Sequence, residues 1–198
     1  MEKLSLTRVA NILKSEWILL LLGVLSIGMF LLAIFSFSSK NKGPESPTGT
    51  PWQGNIYAGK TTKEKLESIL GPPEGVEGSG EQTIYKYRSN QEFRPHRVEF
   101  TENTIALIKE QVIGNEKGTL DNYIQKYGQS EKILYGEHGT FAPGHFWGQA
   151  GILVFAGQFD KTIVEIWYFA PATLENFLRQ HPGLSLEEPQ NFLSNPKP

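Results

Sequence analysis

"TTKEKLESILGPP" at residues 61–73 and "GTLDNYIQKYGQS" at residues 118–130 follow one plan, 57 positions apart. Thr62 falls on Thr119, Leu66 on Tyr123, Leu70 on Tyr127 and Gly71 on Gly128. In the first copy Thr62 is suited to cap a helix, and Glu64 places a negative charge in its first turn, where the helix dipole favours one. Leu66, Ile69 and Leu70 share a face, and Gly71 followed by two prolines stops the helix. The echo continues downstream with a one-residue drift, where "NTIALI" (103–108) parallels "KTIVEI" (161–166).

Each helix leads into runs of alternating polarity. The first copy gives "TIYKYRS" (83–89), "HRVEFT" (96–101) and "TIALIKEQVI" (104–113). The second gives "EKILYG" (131–136), "AGILVFA" (150–156) and "TIVEIWYFA" (162–170). The last two runs of each copy are joined by short turn-forming stretches, "ENT" and "GQFDK", as hairpins require. The expected fold is α+β: an N-terminal transmembrane helix, then two tandem α-β-β-β units at 56–113 and 118–170. Their antiparallel strands form one or two sheets, with the helices packed on one face. A further helix is expected over Thr173–Gln180, with Leu174, Phe177 and Leu178 as its apolar stripe.

The flanks complete the domain plan. No residue from Trp17 to Ser39 is charged, and Trp17–Phe37 is a 21-residue apolar run. At ~1.5 Å per residue it reaches ~31 Å, the span of a bilayer core. A cleaved signal peptide is the alternative, but its apolar stretch is normally only ~7–15 residues. The reading is therefore a cytoplasmic segment at 1–16, a single-pass anchor at 17–37, and a Pro-, Gly- and Ser-rich linker at 38–53. The paired domain follows at 54–180, then a polar tail at 181–198. Lys3, Arg8 and Lys14 precede the span, and Lys40 and Lys42 follow it, which favours an extracytoplasmic C-terminal domain. The chain has no cysteine, so it cannot carry an acylated lipoprotein cysteine. Five of its 19 basic and three of its 21 acidic residues precede residue 52, leaving the remainder at −4 with no basic cluster for nucleic acid.

"GNIYAGKT" (54–61) matches the phosphate-binding pattern G-x-x-x-x-G-K-[ST]. The pattern needs a buried strand before it and a long helix after it. Here a Pro-rich linker precedes it, the helix is stopped after two turns, and no acidic strand end supplies a magnesium ligand. No nucleotide is expected.

"IYAGKTTKEKLESILGPP" (56–73) resembles the opening of the SmpA/OmlA (BamE-like) family, which begins I-x-x-G-x-T and closes its first helix with L-G-x-P. Two such units in tandem are similar to beta-lactamase inhibitor proteins. One extra residue separates Gly59 from Thr62, and the second unit has Gly-Gln-Ser in place of Gly-x-Pro. The resemblance implies a scaffold or assembly accessory of the cell envelope, though the family's assembly members are lipoproteins and this chain is not.

Residues that could do chemistry are few. His96, His138 and His145 could converge on a metal, yet no metal-ligand spacing links them. His181 reads as a surface residue beside Pro182. No nucleophile elbow is present. Glu99 and Glu165 lie in strands among apolar neighbours and could pair as acid and base, but solvent-facing strand positions are the favoured reading of both. Neither catalysis, a cofactor nor a bound metal is expected. The loop "GEHGTFAPGHFWGQ" (136–149) is the feature of the second copy that the first lacks. Its Phe141, His145, Phe146 and Trp147 are the candidate partner-binding residues, since loop aromatics anchor binding surfaces; they could equally pack under the loop as its own core. The leading expectation is thus a membrane-anchored, non-catalytic interaction module of the cell envelope with an unidentified protein partner. The alternatives are an inhibitor that inserts the 138–148 loop into an extracytoplasmic enzyme, and a small envelope hydrolase using His138 or His145.

Overall fold

The computed structural model describes residues 48–80, 82–91 and 93–189, all within one compact unit, Pro47–Pro198. Three helices and eight strands occur there: α1 (Lys63–Leu70), α2 (Leu120–Tyr127) and α3 (Leu174–Gln180), with β1 (Gly75–Ser79), β2 (Gln82–Tyr87), β3 (His96–Thr101), β4 (Thr104–Gln111), β5 (Lys132–Leu134), β6 (Gly144–Trp147), β7 (Ile152–Ala156) and β8 (Ile163–Phe169).

The strands form a single antiparallel sheet in the order β1-β2-β3-β4-β8-β7-β6-β5. Two tandem α-β-β-β units are therefore a misreading. The sheet is continuous through β4 and β8, and a helix precedes four strands in each half. Each copy hid a different strand from the alternation pattern. In the first half β1, "GVEGS", has two glycines and lies mostly exposed on the sheet edge. In the second half β6, "GHFW", is four residues long beside Pro143 and resembles a loop.

The repeat itself is deeper than the helices. In both halves a bulge lies at matching positions, between Glu99 and Phe100 opposite Ala106, and between Phe155 and Ala156 opposite Val164. The bridges Thr62–Thr104 and Thr119–Thr162 also correspond. Across the central seam Lys109 pairs with Trp167, its own counterpart at the 58-residue offset, so the halves meet about an approximate two-fold axis. Both helices end on a glycine that only glycine adopts readily: Gly71 at φ 80°, ψ −175° and Gly128 at φ 81°, ψ −173°.

Two cores result. α1 and α2 lie on one face, where Leu66, Leu120, Val98, Phe100, Ile108, Val154, Ile166 and Tyr168 pack together with Trp52 and Ile56. The helices do not share one face, however. α3 covers the other, burying Phe177 against Phe146, Leu153, Phe155, Trp167 and Phe169. The chain enters the fold before residue 54, because Trp52 is fully buried and Thr50 donates to the Ala150 carbonyl. The expected polar tail likewise begins inside the fold: Leu184 is buried, and Ser185 bridges to Tyr135 beside β5.

Trp17–Phe37 lies outside the described residues. Among those described, no helix is long and apolar enough to cross a membrane. The expectation of a single-pass, membrane-anchored chain has no support in the structure and is withdrawn.

Candidate functional site

The four candidate partner-binding residues are separated. Phe141 is 71% exposed at the tip of the 136–143 turn. Phe146 and Trp147 are buried in β6 and point to opposite faces, into the two different cores. They are internal packing, because a strand covered on both sides buries successive side chains. The Trp147 indole donates to the Gly128 carbonyl at 2.9 Å, satisfying its one polar atom. His145 is half-buried, with Nδ1 3.4 Å from Ser130 Oγ, and burial pushes its pKa down. An inhibitory insertion of the whole 138–148 loop loses two of its three aromatic anchors.

Phe141 has company that alternation did not reveal. Phe159 is 91% exposed on the β7–β8 turn, and the Gln158 N–H donates to the Phe141 carbonyl at 3.0 Å, tying the two loops together. Phe93, 87% exposed, lies in the β2–β3 connection at the same end of the sheet. Both phenylalanines interrupt polar turns, which is the signal that could have found them.

The same end holds the polar network that sequence reasoning assigned to solvent. Glu165 is 1% exposed. Its Oε1 accepts from Gln111 Nε2 and Trp167 Nε1, both at 3.0 Å, and its Oε2 lies 2.6 Å from His138 Nε2. Burial pushes its pKa up, but the bonds from His138 and Trp167 and the charge of Lys109 outweigh that and hold it below the usual carboxylate range. On the opposite face, buried Glu110 accepts from the Tyr168 hydroxyl at 2.7 Å and pairs with Lys117 at 2.9 Å. Burial, then the Glu110 charge, pushes the Tyr168 pKa far up, so its phenol donates at any ordinary pH. His96 accepts the Gln111 N–H through Nδ1, and burial lowers its pKa. Among the described residues His96, His138 and His145, weighed and set aside as a metal set, do not come together. The group able to present metal ligands among the described residues is Glu137, His138 and Glu165, with one ligand atom from each lying within 4.8 Å of the others.

The phosphate-type pattern at 54–61 has its amides already used. Gly59 N–H donates to Ile105, and Lys60 and Thr61 N–H both donate to the Tyr57 carbonyl. Lys60 Nζ bonds Thr48, and the Thr61 hydroxyl accepts from Tyr57 N–H. Those amides are not free to cradle a phosphate.

Two clefts adjoin along the margin of α3. One of about 350 Å³ is lined by Ile84, Glu99, Leu107 and His181 among others. The second, about 590 Å³, runs past Ala106, Pro171, Asn176 and Arg179. Beside them Glu99 pairs with Lys109 at 3.3 Å, and the Lys109 ammonium sits 4.2 Å over the Trp167 ring. His181, expected on the surface, packs edge-on to Trp167 at 5.6 Å.

No family model and no curated protein matches the chain. Solved structures with a partly similar backbone include a DUF4309 family protein from Bacillus subtilis, at 18% identity and TM-score 0.43, covering 62% of this chain and 88% of that one. A cysteine-rich secretory protein from Staphylococcus aureus matches at 14% identity and TM-score 0.42, covering 76% of this chain and 58% of its own. An extracellular protein containing a SCP domain, from Bacillus anthracis, matches at 18% identity and TM-score 0.42, covering 77% and 55%. This chain thus spans a little over half the length of the last two. None of the three is described as a BamE-like protein, and no family model supports the SmpA/OmlA resemblance; that assignment is corrected.

Proposed function

We propose that this domain is a non-catalytic, extracytoplasmic interaction module that grips a protein partner with the loop end of its sheet. The observation that carries the reading is Phe141 and Phe159, both largely exposed on two loops that the Gln158–Phe141 backbone hydrogen bond ties together. Large aromatic side chains left in water cost free energy that a partner's surface would recover, and such residues dominate interface energetics. Phe93 extends the aromatic character of the same end. The absence of catalysis is supported by the state of Glu165. It is engaged by three protein groups and, at 1% exposure, lies out of reach of a substrate approaching from solvent. The extracytoplasmic location is part of the proposal.

The test is quantitative cross-linking of the protein in its native cells, comparing wild type with Phe141→Ala/Phe159→Ala. The double variant should fold normally and lose at least tenfold in partner cross-linking, equivalent to ~1.4 kcal/mol. An unchanged cross-linking pattern sinks the proposal, and a C-terminal tag inaccessible to protease added outside the cytoplasm sinks its location.

A further inference from the structure

We propose that Glu137, His138 and Glu165 form a binding site for one divalent transition-metal ion of the zinc class, independently of the partner-binding reading. Three observations converge on it.

The first is ligand geometry. One imidazole nitrogen and two carboxylate oxygens lie within 4.8 Å of one another. Zinc takes nitrogen at ~2.0–2.1 Å and carboxylate oxygen at ~2.0–2.2 Å, so ligand atoms around it sit ~3–3.5 Å apart. His138 Nε2 and Glu165 Oε2 are at 2.6 Å and Glu137 Oε1 is 3.9 Å from Nε2, so shifts of about an ångström or less bring all three into range. The ion would replace the proton held between Nε2 and Oε2; from a neutral ring that proton passes to Nδ1, and from a charged ring, whose Nδ1 already carries one, it leaves to solvent.

The second is orientation. Gln111 and Trp167 both donate to Oε1 of Glu165, which fixes the carboxylate and turns Oε2 towards His138. The His138 ring is braced edge-on against Phe155 at 5.0 Å. Outer groups that hold one carboxylate oxygen and present the other are the usual support of a metal ligand.

The third is an unfilled acceptor. Gln111 is 8% exposed, and the Oε1 of the amide bonded to Glu165 is buried without a partner. An uncompensated buried carbonyl is costly, and this one marks the Glu165 network as having hydrogen-bonding capacity left unfilled. With three protein ligands, a fourth position on the ion remains for a water. The mixed nitrogen and oxygen set suits zinc-class ions better than calcium or magnesium, which favour all-oxygen shells of six or more ligands. The ion would clamp the 136–143 turn, through Glu137 and His138, to β8.

The experiment titrates metal-free full-length protein with zinc chloride by calorimetry and with cobalt chloride by visible absorption. The expected results are one ion per chain, cobalt bands of low coordination number, and no displacement by excess magnesium or calcium. Affinity should fall at least tenfold in Glu137→Gln and vanish in His138→Ala. Glu137 is largely exposed, so its substitution tests the site without threatening the fold. Absence of stoichiometric zinc binding in the wild type overturns the proposal, as does Glu137→Gln binding zinc like the wild type.

Discussion

Phe146→Ala separates packing from recognition at the loop that sequence reading singled out. Phe146 has no exposed surface. Its ring stacks on Phe169, with centroids 5.6 Å apart and planes 5° from parallel, and meets Phe177 at 5.1 Å. It also closes over Gly148, where a Cβ would meet ring carbons at 2.9 and 3.0 Å. Removing the ring deletes a fully buried aromatic and leaves a cavity lined by two others, a loss of ~3–5 kcal/mol. A domain of this kind has only ~5–15 kcal/mol in total. With a urea slope of ~2 kcal/mol per molar, the midpoint should fall by ~2 M. Phe141→Ala removes an exposed ring and should cost less than ~0.5 kcal/mol, or ~0.25 M. The assay is urea denaturation followed by tryptophan fluorescence, with the slope compared between variants. A fall below ~0.5 M for Phe146→Ala, or equal falls for the two variants, would refute the assignment of Phe146 to the core.

Two further predictions rest on backbone and charge. Gly71→Ala and Gly128→Ala meet no atom within 4 Å of the new Cβ, so their cost is purely the left-handed backbone and should be ~1–3 kcal/mol each, nearly equal by denaturation midpoint; an unchanged or raised midpoint in either refutes the shared capping geometry. Burial pushes His96, His145 and His181 below their ordinary value of 6.5, against the opposing charges of Glu110 and Glu116 near His96 and of Glu99 near His181. The unfolded chain therefore takes up these protons first, and stability should fall as pH drops below 6.5, by at most ~1.4 kcal/mol per pH unit for each histidine. A urea midpoint as high at pH 5.5 as at pH 7.5 would contradict it.

What the sequence disclosed, and what it concealed, divides along one line. The helices were legible because caps and stop glycines are local: Thr62 accepts from Lys65 N–H, and Gly71 and Gly128 end their helices where expected. β3, β4, β7 and β8 were legible because their apolar residues alternate or run unbroken. Glu165 was assigned to solvent because one layer of helices was expected, leaving the far side of the sheet wet. The apolar stripe of α3, Leu174, Phe177 and Leu178, was visible, but no local signal said which face it would cover. It covers the far one. That single long-range fact turns Phe146 from a loop aromatic into core, while Trp147 packs on the α1–α2 face and Glu165 is met by His138 of the 136–143 turn.

The same fact explains why the repeat could diverge. Aligned through the matching bulges, Arg97 and Glu99 of β3 correspond to Leu153 and Phe155 of β7, and Lys109 corresponds to Trp167. On the α1–α2 face the halves stay alike, since each helix must be packed by its own strands. On the other face α3 packs over the second half and Leu107, where the side chains are apolar, while the rest of the first half carries charges. Lys86 pairs with Glu77, Arg97 lies 3.4 Å from Glu77, and Lys109 lies 3.3 Å from Glu99. Partly exposed pairs of this kind contribute only ~0–1 kcal/mol each, so stability is not a sufficient reason for them. Their effect is to keep an uncovered sheet face wet and to guard edge strand β1 against pairing with another chain's edge, a protection charged side chains give. The second half needs α3 as a lid over its apolar face; the first half dispenses with one by remaining polar.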